Sequence, residues 1–202
     1  TADNQEEMYM QYAYGLDIDS SFTGEDILHV GIEAGNASGP LASMDSAIED
    51  GDGLSVASMF YAFPVGDLEV TVGPKVLQDD VLAATTSSYS DDFRLGAMPY
   101  SQAGAEEGAG LAVAWSNDNG VVASASFISV GGTDSEKGIG GDNGDDVSTI
   151  TLGYNGEGFG GGLIIATNDG DLTSTTAGYD TFGGGIYYTP ESMPATFSVA
   201  YD

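Results

Sequence analysis

Residues 9–22, YMQYAYGLDIDSSF, and residues 28–35, LHVGIEAG, alternate apolar and polar side chains with a period of two. Along the first segment the apolar side chains share the even positions, namely Met10, Tyr12, Tyr14, Leu16, Ile18 and Phe22. Because successive side chains of a strand point to opposite sides, this alternation predicts strands with one apolar and one wet face. The four residues 23–26, TGED, predict a tight turn, so the two segments form an antiparallel hairpin.

The same period continues along the chain and predicts eight further strands. They fall at residues 54–63, 68–73, 108–116, 121–130, 147–154, 159–167, 179–188 and 195–201. Tight turns between them alternate with long connections, of which the longest is 74–107. Antiparallel strands of about 9 to 11 residues, with tight turns at one end and long loops at the other, are typical of bacterial outer-membrane barrels. We therefore predict an all-β fold, an antiparallel transmembrane β-barrel.

Aromatic side chains are concentrated within a few residues of the tight turns. They are Phe22, Phe60, Phe63, Trp115, Tyr154, Phe159, Tyr187, Tyr188 and Phe197. Aromatic girdles at a membrane interface require rings near the strand ends, although aromatic residues are also favoured in strands generally. We favour the girdle.

The arrangement of the turns predicts a barrel larger than ten strands. If the tight turns face the periplasm, both chain ends lie outside the cell, whereas a complete barrel has periplasmic termini and an even number of strands. We therefore expect residues 1–202 to form one barrel region that is incomplete at both ends, in a barrel of about 16 strands. The segment 74–107 is then the third external loop, if one strand precedes residue 1.

The composition excludes several classes of function. Three Lys and Arg against 32 Asp and Glu give a net charge of −29, which repels nucleic acids. The absence of Cys excludes zinc fingers, disulfide scaffolds and thiol nucleophiles. A Ser-His-Asp triad or a histidine-rich metal site would depend on one histidine, His29. We expect no catalysis, no cofactor and no metal site.

Charged residues inside the predicted strands are candidates for the lining of a pore. The polar positions of the alternation are occupied by Asp17, Asp19, His29, Glu33 and Glu69, and a further predicted strand contains Asp180. No Lys or Arg falls inside a predicted strand. Most other acidic residues fall in the long loops, where a solvated surface is a more common role than specific calcium sites.

The 34-residue segment 74–107 is the candidate constriction. It carries Lys75 and Arg94, two of the three basic residues, close to four aspartates, Asp79, Asp80, Asp91 and Asp92. Loops of this length are uncommon unless they are functional. Folded into a barrel, opposed charges in such a loop select permeants by size and charge. A loop that remains outside the pore is the alternative.

Residues 16–36, LDIDSSFTGEDILHVGIEAGN, and 60–74, FYAFPVGDLEVTVGP, resemble the opening of the barrel of cyanobacterial outer-membrane porins, which are distantly similar to carbohydrate-selective porins. The resemblance implies a passive channel for small solutes, anchored to the cell wall by an S-layer-homology domain. It also implies contacts with outer-membrane lipid and lipopolysaccharide, small inorganic ions or solutes as permeants, and a homotrimer. Family members carry basic residues where Glu25, His29 and Gly31 stand here, and Gln in place of Glu33, so this lumen is more anionic.

Two other classes of protein fit parts of the pattern. The main alternative is a soluble or surface-exposed acidic β-sandwich or adhesin with sugar- or calcium-binding loops. Paired carboxylates such as Asp17 and Asp19 also resemble the acid pair of a glycosidase, but they share one strand and fit a lumen lining better.

Overall fold

The computed structural model describes residues 10–39, 42, 47–48, 51–84, 107–141, 144–170 and 177–201. Ten strands account for most of them: β1 (Ala13–Ser20), β2 (Ile27–Gly35), β3 (Gly51–Val65), β4 (Leu68–Leu77), β5 (Glu107–Ser116), β6 (Val121–Ser129), β7 (Asp146–Asn155), β8 (Phe159–Gly170), β9 (Ala177–Tyr188) and β10 (Phe197–Tyr201). A 3₁₀-helix, Asp79–Val81, follows β4. Each predicted strand is therefore confirmed, with bounds that shift by a few residues.

The strands form a single antiparallel sheet in which each pairs with the next along the chain. The described parts of β1 and β10 are the two edges of this sheet and do not pair with each other, so the sheet is open. The all-β, antiparallel fold class is confirmed. No helix in the described ranges is long and apolar enough to cross a membrane.

One face of the sheet, here called the apolar face, consists of exposed apolar side chains. The register places Ile18 opposite Val30 and Leu152 opposite Leu163, and directly paired residues share a face. Many large side chains on this face are between 43% and 64% exposed, among them Leu16, Ile18, Val72, Leu111, Ile150, Leu152, Leu163, Ile165, Phe182, Ile186 and Val199. The alternation predicted for β1 and β2 is confirmed.

The opposite face, here called the polar face, carries short polar and charged side chains. Asp17, Asp19, His29, Glu33 and Glu69 lie on it. Farther along the sheet the register adds Thr71, Ser124, Ser126, Thr149 and Thr151, all buried. Asp180 pairs with Thr167 on the apolar face, near the long-loop end of β9.

Three predicted placements differ from the structure. Phe60 pairs with His29 and Tyr187 pairs with Gly160, which puts both rings on the polar face and outside any girdle. Lys75 lies inside β4 and not in a loop, because a bulge between Gly73 and Val76 prolongs this strand to Leu77.

The tight turn between β1 and β2 is organised by Asp26, which is 2% exposed. Its carboxylate accepts hydrogen bonds from the Ser21 hydroxyl, the Phe22 amide, the Thr23 amide and hydroxyl, and the Tyr61 hydroxyl of β3. These donors, above all the Thr23 hydroxyl, hold the pKa of Asp26 far below its usual range, and burial opposes them only in part. The turn is thus tied to the third strand through one carboxylate.

We expect Asp26→Ala to lower the unfolding temperature in detergent more than Tyr61→Phe, because the first change leaves several donors without an acceptor and the second removes one donor. Because its pKa is lowered, the carboxylate stabilises the folded state at pH values above 3.8, the ordinary pKa of an aspartate. This contribution is progressively lost as the pH falls below 3.8. Asp26→Asn should therefore flatten the loss of stability on acidification. An equal acid sensitivity in wild type and Asp26→Asn would contradict the assignment.

Candidate functional site

His29 is held in a fixed orientation on the polar face. Its Nδ1 lies 2.8 Å from Asp19 Oδ1 and its Nε2 lies 2.9 Å from the Ser58 hydroxyl. The ring stacks on Phe60 with 4.7 Å between centroids. Asp17 Oδ1 lies 3.9 Å from Nε2. The β1–β2 register produces this arrangement, because it sets Asp19 directly opposite His29.

Gly31 makes room for this cluster. It pairs with Asp17 on one side and Ser58 on the other. A Cβ atom at Gly31 would lie 2.5 Å from the Ser58 Oγ and 3.5 Å from His29 Nε2. A larger residue would therefore displace Ser58 from the imidazole.

Asp19, His29 and Ser58 form a hydrogen-bonded series of carboxylate, imidazole and hydroxyl, which is the order of groups found in serine hydrolases. Ser58 is only 3% exposed, however, so its hydroxyl is closed to a substrate carbonyl. The geometry fits the positioning of His29 and not nucleophilic attack. Sequence analysis did not single out Ser58, because its contact with His29 spans 29 positions and depends on the β2–β3 register.

Residues 78–84, here called the strap, leave the end of β4 and cross the polar face. Gln78 Nε2 donates to the Ser126 hydroxyl at 3.0 Å, and the Ala83 amide donates to the Ser124 hydroxyl at 3.0 Å. Asn155 Nδ2, at the tight-turn end of β7, donates to the Ala83 carbonyl at 3.0 Å. The strap therefore runs from the long-loop end of β4 towards the tight-turn end of β7.

An apolar contact fixes the middle of the strap. Val81 packs in a buried cluster with Val76, Ala112 and Ile128. The partly buried Phe60 packs against this cluster. The polar face can receive the strap because its residues are small. A Cβ atom at Gly153, for example, would lie 2.7 Å from the Cβ of Ala84.

The predicted constriction residues fall into three groups. Asp79 and Asp80 lie in the 3₁₀-helix of the strap. Lys75 pairs with Met59 on the apolar face, where its Nζ lies 3.1 Å from Glu107 Oε1 and donates to the Val56 carbonyl at 2.5 Å. Asp91, Asp92 and Arg94 lie outside the described residues.

Asp80 lies where the strap faces β4 and β5. With Glu69, Thr71 and Ala112 it lines a cavity of ≈ 120 Å³. Its carboxylate remains accessible to water, yet the surrounding protein removes part of its hydration. This desolvation, together with the negative charges of Asp79 and Asp17 and against the opposing effect of His29, raises the pKa of Asp80 to about 6.

Within the described parts of the chain, no group of three or more His, Cys, Asp and Glu side chains is arranged to hold a metal ion. No family model matches the sequence, and no curated protein matches it. Among solved structures, the fold is similar to a triple mutant of the Rh. blastica porin, with 12% identity and a TM-score of 0.34. That match covers 95% of this chain and 74% of the porin chain.

We expect Ser124→Ala to accelerate hydrogen exchange of the Ala83 amide about 2- to 10-fold, because the amide loses its acceptor. Exchange of amides within the β6–β7 ladder should stay unchanged. Ser148→Ala, on the exposed apolar side of β7, is the matched control. Equal exchange at Ala83 in both variants would contradict the docking of the strap through Ser124.

Proposed function

We propose that this sheet forms part of the wall of a water-filled outer-membrane channel through which small ions and hydrophilic solutes diffuse, with no catalytic step. The observation that carries the proposal is the contrast between the two faces. Many apolar side chains along the sheet are about half exposed on one side, whereas charged and hydroxyl groups line the other.

The apolar face is suited to contact lipid. Exposed apolar patches on soluble monomers rarely exceed a few hundred Å², and this face extends across ten strands. The charged side chains that the register places on it, such as Lys75, Glu107 and Asp180, lie near the long-loop ends. Aromatic rings gather at the opposite end, where Tyr61 stacks on Phe63 and Tyr154 on Phe159. A bilayer satisfies both the apolar belt and the interfacial rings.

The polar face supplies the path for permeants in this proposal. Asp17, Asp19, Glu33 and Glu69 give its first four strands a negative lining, with His29 between the aspartates. The ion pair of Lys75 with Glu107 lies on the other face. A negative lining concentrates cations, so we propose a moderate preference for cations.

The strap supports a role for residues 74–107 in narrowing the channel. Its hydrogen bonds to Ser124, Ser126 and Asn155 hold the start of this segment on the polar face. We accordingly assign the size filter to this segment, as part of one barrel region over residues 1–202. The resemblance to cyanobacterial porins adds a homotrimer, contacts with lipopolysaccharide and an anchoring domain to the proposal.

The acidic β-sandwich remains the competing function, and detergent separates the two. A sandwich would need a second layer over the apolar face, and the described strands form one sheet. The channel should therefore require micelles to stay monodisperse. A protein that remains monodisperse without detergent would favour the sandwich.

In planar bilayers, we expect the full-length protein to conduct ions and to prefer cations at low salt, because the fixed carboxylates attract them. The reversal potential across a salt gradient measures this preference. The preference should fade as the Debye length shortens from about 30 Å at 0.01 M to about 3 Å at 1 M salt. A clear anion preference at low salt would contradict the assigned lining.

Deletion of residues 83–103 from the full-length protein should raise single-channel conductance and admit larger solutes, because it removes the segment proposed to narrow the path. Solute flux into liposomes, with sugars of graded size, measures the cut-off. Unchanged conductance and cut-off in a deletion variant that folds normally would place the segment outside the pore.

A further inference from the structure

We propose that Asp80 determines the charge selectivity of the channel, and that its protonation lowers the preference for cations. This inference rests on the proposed channel function and adds a single selective group to it. It is carried by the position in which the strap holds Asp80 over the polar face.

The strap fixes Asp80 from both sides. Gln78 is anchored to Ser126 before it, Val81 is buried next to it, and Ala83 is anchored to Ser124 and Asn155 after it. A carboxylate on such a segment keeps its place in the path, whereas one on a free loop would move away from permeating ions.

The groups around Asp80 make its charge consequential. Glu69 of β4 lines the same cavity, Asp79 precedes it in the 3₁₀-helix, and Asp17 and His29 act on it from β1 and β2. On the side of β5 the cavity is lined by Ala112 and Ala114, which carry no charge. A permeating cation therefore meets several carboxylates near the strap, and Asp80 is the one that the strap contributes to this cavity.

Partial desolvation gives Asp80 a second property. Its pKa of about 6 means that it is ionised at pH 7.5 and largely neutral at pH 5. In a narrow, partly dehydrated space one charge acts more strongly on an ion than it does in bulk water. Selectivity should therefore follow the charge of Asp80 in a pH range where ordinary carboxylates remain ionised.

The experiment measures reversal potentials of the full-length protein in planar bilayers under a KCl gradient between pH 5 and pH 8. The cation-to-anion permeability ratio of the wild type should fall at least about two-fold on acidification, with the midpoint of this step near pH 6. Asp80→Asn should give the lower ratio at every pH, without the step. Asp79→Asn is the matched control, because it removes the same charge from the adjacent position outside the cavity, and it should keep the step with a midpoint at lower pH, since Asp79 no longer raises the pKa of Asp80.

A second variant tests the contribution of His29. Because His29 lowers the pKa of Asp80, His29→Gln is measured in parallel and should keep the step, with its midpoint at a higher pH. The inference is overturned if Asp80→Asn retains the step or if His29→Gln abolishes it. Absence of any conductance would contradict the channel function itself, whereas conductance with a selectivity that is independent of pH would contradict only the role of Asp80.

Discussion

The two faces of the sheet require different surroundings. Every strand must present one set of side chains to each side, because the pleat alternates them. Hydrogen bonds between neighbouring strands lie in the plane of the sheet and pair the backbone groups, so the backbone does not distinguish the two faces. The side chains distinguish the two sides. One side carries the exposed apolar belt that includes Ile150, Leu163 and Ile186, and the other carries carboxylates and hydroxyls. The apolar side therefore requires an apolar neighbour, and the other side requires water or polar groups.

The small side chains of the polar face give it a second use as a docking surface. Ser124 and Ser126 offer hydroxyl acceptors to the strap, Ala112 leaves room for Val81, and Gly153 leaves room for Ala84. Larger residues at these positions would fill the space and force the strap off the sheet. The small polar residues of this face therefore accommodate the strap as well as water.

Most of the fold could be predicted from the sequence, because alternation is a local property. The faces of Asp17, Leu16 and their neighbours follow directly from a period of two. The placement of Lys75 in a loop is wrong because a bulge in β4 adds a residue and shifts the phase. Gly73 and Pro74 are residue types typical of a bulge, but they fit the end of a strand equally well. The contacts of Ser58 and Asn155 join positions 29 and 72 residues apart, so they depend on register and on the path of the strap. Ser124 and Ser126 alternate along β6, but this pattern alone does not predict that another segment crosses the face.

Two aspartates show how strongly the surroundings decide the chemistry of one side chain type. Asp26 is almost fully buried, yet its pKa falls, because hydroxyl and amide donors converge on its carboxylate and favour the charged form. Asp80 is more accessible to water, yet its pKa rises to about 6, because it loses hydration beside other carboxylates. The donors around Asp26 make it a fixed structural anion, and the acidic surroundings of Asp80 leave it a group whose charge can change at moderate pH.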